Sequence, residues 1–352
     1  MQLCGILLGT EIIKAGGDVN AQRPICIAGA GSIGCFVGGL LAASGRDVSF
    51  LARPRVVEGI ARNGLRLTSF EGGGWHLRAE QVALSDNPAL MRDAGIIIVA
   101  VKSGDTAAMA GLIAQHAAAD AVIVSLQNGV GNVAILKQAL PGHRVLGGMV
   151  PFNVVTQDDG TVHRATSGAL VIERDGEDTA SRLAVGSLLV QSTDNIAGVL
   201  WGKLLLNLNN ALNALSDLPL QAQLQQRAWR LLFADQMSEG LAVLRAAGIS
   251  PVSTTAMPSW LTPHLLRLPD RLFGVILRRV MKIDANARSS MWEDLQRGRP
   301  TEVDYLQGVV VQWANQYHVE VPLSRRVIDL VKAAEENKRG SPALSAQQIR
   351  GL

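Results

Sequence analysis

Gly29-Ala30-Gly31-Ser32-Ile33-Gly34 spells GxGxxG between a short apolar run, Ile25–Ala28, and a helical pattern, Ser32–Ser44. In that setting the three glycines give a tight turn, room for a pyrophosphate, and close packing of helix on strand. Phosphate oxygens then meet the free amides of the helix N-terminus, where the dipole favours negative charge. The following strand runs Val48-Ser49-Phe50-Leu51-Ala52 and ends at Arg53, with Arg55 close behind. A site for NAD usually carries Asp or Glu there, bonded to the ribose 2′-hydroxyl. A guanidinium suits a 2′-phosphate instead, so the cofactor expected is NADP(H). The plainer alternative is a solvated loop arginine.

Three more groups could do chemistry. Lys102 ends the apolar run GIIIVAV, and Gln127-Asn128-Gly129-Val130-Gly131 ends AVIVSL. Both fall at the carboxyl edge of predicted strands, where open α/β sheets bind ligands. In Trp201–Asn213, Lys203, Asn207 and Asn210 recur at i, i+4 and i+7 on an otherwise apolar helix. A buried amine or amide without a partner costs roughly 2–7 kcal/mol, so such a stripe suggests a ligand or a structured network. Ser289-Ser290-Met291-Trp292-Glu293-Asp294 and Arg299-Pro300-Thr301-Glu302 follow. Thr301 suits a helix cap with Glu302 in the first turn. Glu302 also suits pairing with Lys203 across a domain cleft.

The elements that must position these residues change character along the chain. In the first half, apolar runs at Ile25–Ala28, Asp47–Ala52, Gly95–Val101, Ala121–Leu126 and Arg144–Val150 alternate with helices at Ser32–Ser44 and Ala107–Ala119. That alternation predicts a parallel, Rossmann-type α/β sheet, continued to Val171 by antiparallel strands. From about Leu200 long helical patterns dominate: Leu200–Leu215, Gln221–Ala247, Leu272–Asp284, Glu302–Tyr317 and Ser324–Asn337. The expected organisation is an extension (1–23), a Rossmann domain (24–195), a mostly α-helical domain (196–340) and a frayed tail (341–352).

With 352 residues, 48% of them hydrophobic and 18% charged, the chain can fill two cores. A net charge of +3 from 33 basic and 30 acidic side chains, with the basic residues scattered, argues against nucleic acid. The dispersed histidines (76, 116, 143, 163, 264, 318) show no metal-ligand spacing, so no metal is expected. Cys4, Cys26 and Cys35 read as reduced thiols of a cytoplasmic protein. No run reaches the length of a membrane span. The apolar helices of the second domain suit either a homodimer face or the domain's own core.

From Ile25 to Glu335 the ordered set GAGSIG, VK, QNGVG, WGKLLLN, SSMWED and RPTEVDYLQG resembles the ketopantoate reductase (2-dehydropantoate 2-reductase) family. The resemblance implies NADPH-dependent reduction of the 2-oxo acid ketopantoate to pantoate, on the way to pantothenate and coenzyme A. It implies Lys203 as general acid with Glu302 as its partner, and Asn128 and Asn207 positioning substrate and nicotinamide. It further implies Ser290 on the substrate carboxylate, Asp294 in the same motif, and Lys102 and Arg53 on the cofactor. One departure is Ala211, where the family repeats asparagine; Asn210, about 100° round the helix, is the nearest substitute. That departure bears on which 2-oxo acid is reduced. A non-catalytic NADP-binding sensor is the competing class, against which the Lys203, Glu302 and Ser290 set counts.

Overall fold

The structure is a computed structural model, and it describes residues 11–13, 23–254, 257–274 and 287–351. Cys4, most of the 1–23 extension and part of the expected helix Leu272–Asp284 lie outside the described residues. The chain divides into two compact units, Met1–Ala197 and Gly198–Leu352.

The first unit is built on β-branched runs. Strands β1 (Glu11–Ile13), β2 (Ile25–Ala28), β3 (Val48–Leu51), β4 (Leu65–Ser69), β5 (Gly74–Leu77), β6 (Ala83–Ser85), β7 (Ile96–Val99) and β8 (Val122–Ser125) come first. They are followed by β9 (Arg144–Met149), β10 (Val154–Thr156), β11 (Val162–Arg164), β12 (Leu170–Glu173) and β13 (Val190–Thr193). Among the described residues the main sheet has nine strands in the order β1-β13-β12-β9-β8-β7-β2-β3-β6. From β9 to β6 every pairing is parallel. Such strands must bury both faces, and they do. Ile25, Ile27, Ile96, Ile98, Val122 and Val124 enter one core, while Cys26, Ala28, Ile97, Val99 and Ile123 enter the other. The strand order reverses at β2, which makes its carboxyl end the switch point where this architecture binds ligands.

Helices α1 (Ser32–Ala43), α2 (Pro54–Asn63), α3 (Thr106–His116), α4 (Asn132–Ala139) and α5 (Thr179–Leu183) complete the unit. The expected antiparallel continuation is met by β12, which pairs with β9. Strands β10 and β11 depart from it. They form a separate four-stranded sheet with β4 and β5, in the order β10-β11-β4-β5. The extension supplies Glu11–Ile13, an edge strand antiparallel to β13. Burial pushes the Cys26 thiol up to about 11 and the Cys35 thiol up to about 12, so both stay protonated and inert.

The second unit is helical: α6 (Ile196–Asn207, which starts just before the unit boundary), α7 (Asn209–Ser216), α8 (Leu220–Gln225), α9 (Arg227–Ala246) and α10 (Thr262–Leu266). After these come Ser290–Gln296, Val303–Tyr317, Pro322–Asn337 and Ala346–Arg350. Two expected long helices are each split, at Leu208 and at Gln226. The Leu208 carbonyl accepts a bond from buried Gln307 Nε2 at 2.9 Å, a partner some hundred residues away. Fully buried Arg230 donates to the carbonyls of Leu224, Gln225, Leu266 and Leu268 and pairs with Asp270 at 2.8 Å. One side chain thereby anchors the proline-rich connection after α9. The tail is helical rather than frayed. Ser345 and Gln348 form a capping box, and Ile349 is fully buried.

Candidate active site

In the first unit the glycine turn links β2 to α1. Gly29 has φ +113°, and a Cβ on it would meet the Val101 side chain at 2.7 Å and its backbone N at 2.8 Å. A Cβ on Gly34 would overlap the Gly29 carbonyl. These two glycines serve the fold. Gly31 differs: a Cβ there has only the Ala100 carbonyl, 3.9 Å away, as its nearest neighbour. Gly31 is also the N-cap of α1, with no side chain capping the helix and no acid in its first turn. Open space against free amides at a positive helix end fits a pyrophosphate. Ala30 and Ile33 pack against the core, and the Ser32 hydroxyl lies 2.9 Å from that of Thr156 on β10.

Arg53 is the N-cap residue of α2, and its exposed guanidinium donates to Asp105 at 3.1 Å. Asp105 closes a short turn, Ser103–Asp105, whose N-cap is Lys102. Asp105 was not foreseen. An exposed pair of this kind contributes at most about 1 kcal/mol, so a dianionic phosphate can displace it. Asn128 follows β8, and its carbonyl accepts from Asn132 Nδ2 at 2.6 Å and from Ser103 Oγ at 3.1 Å.

In the second unit Lys203 is partly buried on α6. Gly202 beside it lets another segment cross, since a Cβ there would overlap the Val252 carbonyl. That segment is tied down by the Val252 amide, which donates to the Gly198 carbonyl at 2.8 Å. Burial lowers the Lys203 pKa from 10.5 to about 8, and the charge of Glu302 pulls the other way. Both residues belong to the helical unit, so their interaction does not cross the domain boundary as expected. Glu302 is the N-cap residue of Val303–Tyr317 rather than part of its first turn, and its side chain makes no capping bond. Thr301 Oγ1 instead accepts from the Val303 amide at 3.2 Å.

The break at Leu208 leaves Asn207 at the end of α6 and Asn210 in the first turn of α7. The Asn210 carbonyl accepts from Ser289 Oγ at 2.9 Å, and Asn213 Oδ1 accepts from the Ser289 amide at 2.8 Å. Ser289 also caps the helix that begins at Ser290, leaving the Ser290 side chain exposed. Asp294 lies on the same helix, and its carbonyl accepts from the Arg299 amide at 2.8 Å. Sequence reasoning missed this role of Asn213, although its place in the WGKLLLNLNNALN run was a signal. Ala211 is fully buried. Among the described residues no cluster of His, Cys, Asp or Glu could hold a metal, and no helix is long and apolar enough to cross a membrane.

Comparison with known proteins separates the two units in the same way. Residues 25–176 match the family model "Ketopantoate reductase PanE/ApbA", and residues 195–335 match the model of its C-terminal part. The chain belongs to the ketopantoate reductase family. It is therefore an oxidoreductase of a nicotinamide-dependent family, with an α/β first unit and a helical second one. It is 29% identical over 322 residues to the 2-dehydropantoate 2-reductase of Halobacterium salinarum, covering 89% of this chain and 99% of that protein. A crystal structure of a PanE/ApbA family ketopantoate reductase from Ralstonia eutropha is 31% identical, with a TM-score of 0.76 over 90% of this chain and 99% of the other. D-mandelate dehydrogenase with NADH and anilino(oxo)acetate, at 22% identity and a TM-score of 0.72 over 90% and 99% of the two chains, shares the fold.

Proposed function

We propose that this ketopantoate reductase family member reduces 2-dehydropantoate to pantoate with NADPH, and that Lys203 is the general acid. The observation that carries the reading is a partly buried lysine, brought to a pKa of about 8 beside the charge of Glu302. Gly29 to Gly34 and Arg53 would hold the dinucleotide, with Lys102 and Asn128 at the strand ends toward its nicotinamide. Bound NADPH supplies a hydride for the carbonyl carbon. The Lys203 ammonium donates a hydrogen bond to the carbonyl oxygen, stabilises the growing alkoxide and gives up its proton. Its pKa lies near working pH, which suits a group that must hold a proton and also release it. Glu302 favours the charged amine before that transfer. Asn207, Asn210, Ser290 and Asp294 would hold the substrate, with the Ser290 hydroxyl on its carboxylate. Pantoate would then feed pantothenate and coenzyme A.

Arg53 supports the phosphorylated cofactor, since a guanidinium at the end of β3 pairs far more strongly with the charge of a 2′-phosphate than with a neutral 2′-hydroxyl. The test is NADPH oxidation with ketopantoate, catalysed by the wild type and abolished in Lys203→Ala. Ala211 favours a second reading, reduction of a different branched 2-oxo acid. The position is fully buried, and no amide stands where the family pattern has one. Turnover with other 2-oxo acids but not ketopantoate would select that reading.

A further inference from the structure

The loops after β7 and β8 are joined beneath the surface by a set of side-chain bonds. Asn132, in the first turn of α4, is at its centre. Its Nδ2 donates to the Asn128 carbonyl at 2.6 Å and to Ser103 Oγ at 3.2 Å, and its Oδ1 accepts from Thr106 Oγ1 at 2.8 Å. Thr106 Oγ1 in turn accepts from Gln127 Nε2 at 2.7 Å, and Gln127 Nε2 also donates to the Val101 carbonyl at 3.2 Å. Ser103 Oγ gives the Asn128 carbonyl its second donor at 3.1 Å. Ser103, Thr106, Gln127 and Asn132 are all at most 6% exposed.

The Thr106 hydroxyl shares its single proton between Asn132 Oδ1 and the Ser103 carbonyl, each at 2.8 Å. Turning the Asn132 amide over would set its oxygen against the Asn128 carbonyl oxygen at 2.6 Å and strip that carbonyl of a donor, so the Asn128 end fixes the amide's orientation. Away from water, every such mismatch leaves a group unpaired, so the set locks rather than slides. Two positions are thereby pinned. One is the backbone of Asn128, followed by Gly129 at φ +86°. The other is Ser103, directly after Lys102. Packing alone could join two loops with apolar side chains, but it would not fix the direction of a single carbonyl.

We infer that Asn132 is a positioning residue. Through the Asn128 carbonyl and the Ser103 hydroxyl it holds Asn128 and Lys102 in register for the nicotinamide half of the cofactor. The adenosine half is held separately, by the glycine turn and Arg53. This inference rests on the reading of the first unit as an NADPH site.

The test is calorimetric titration of the full-length protein with NADPH and with 2′,5′-ADP, a fragment that lacks the nicotinamide. Asn132→Ala weakens NADPH by about tenfold, the size expected for losing buried hydrogen bonds. Its affinity for 2′,5′-ADP stays within about twofold of wild type. Thr106→Val behaves like Asn132→Ala, and Thr106→Ser, which keeps the hydroxyl, restores NADPH binding. Should Asn132→Ala fail to fold, the Thr106 pair and Ser103→Ala give the same contrast. Equal loss of both ligands, or unchanged NADPH affinity in the folded variants, overturns the positioning role. Wild type that binds neither ligand overturns the cofactor reading itself, an outcome visible before any variant is made.

Discussion

An ammonium held at a pKa of about 8 is protonated at neutral pH and only a small step from release. The acid form is the active one in reduction, so kcat should be flat below pH 8 and fall about tenfold per pH unit well above it. Glu302 is the interaction that raises this pKa, so Glu302→Gln should move the alkaline limb to lower pH in the same profile. Lys203→Ala should lower kcat by about 10²–10⁴ with the protein still folded, measured by NADPH consumption. The stability sign runs the other way. The folded-state pKa is depressed from 10.5 to about 8, so the unfolded chain binds more protons between those values and stability rises with pH across that window. The gain in Tm of Lys203→Met over wild type should therefore be largest below pH 8 and shrink towards pH 10.5.

At the scale of elements, the glycine turn separates a folding requirement from a binding one. Gly29→Ala forces a side chain into the left-handed region and against Val101, so it should lower Tm, at a cost of at least about 1–3 kcal/mol. Gly31→Ala meets nothing closer than 3.9 Å, so its Tm should match wild type while NADPH binding weakens about tenfold or more. Arg53→Ala at the end of β3 should weaken NADPH by about tenfold and leave NADH nearly unchanged, by the same titration. Much at this scale was legible in the sequence. Strands β2, β3, β7, β8 and β9 are predominantly apolar, and their boundaries fall within a residue or two of the expectation. The rest depended on distant partners. Leu208, set among the weak helix formers Asn207, Asn209 and Asn210, breaks the helix where its carbonyl accepts from Gln307, and β10 and β11 leave the main sheet because β4 offers a parallel edge. Lys203, Glu302 and Asn128 stood out by residue type and spacing. Asn132, Thr106 and Asp105 did not, because their roles exist only once two loops are brought together.

At the scale of the whole chain, each unit carries one part of the proposed reaction, the cofactor in the first and the proton donor in the second. The helical unit also depends on its last residues. Arg326 Nη2 donates to the Gln348 carbonyl at 2.8 Å, and Ile349 is fully buried. Ending the chain at Gly340 should therefore lower Tm by several degrees, and Ile349→Ala alone should cost about 2–5 kcal/mol in a denaturant titration. The central claim is chemical, that a 2-oxo acid is reduced with Lys203 supplying the proton. Its most direct measurement is NADPH oxidation with ketopantoate and a panel of branched 2-oxo acids, by wild type and Lys203→Ala, from pH 6 to 10. Wild type should show turnover that declines above about pH 8, and the variant should lose all but a trace of it. Tight NADPH binding with no turnover on any 2-oxo acid, or full activity in Lys203→Ala, would contradict that claim.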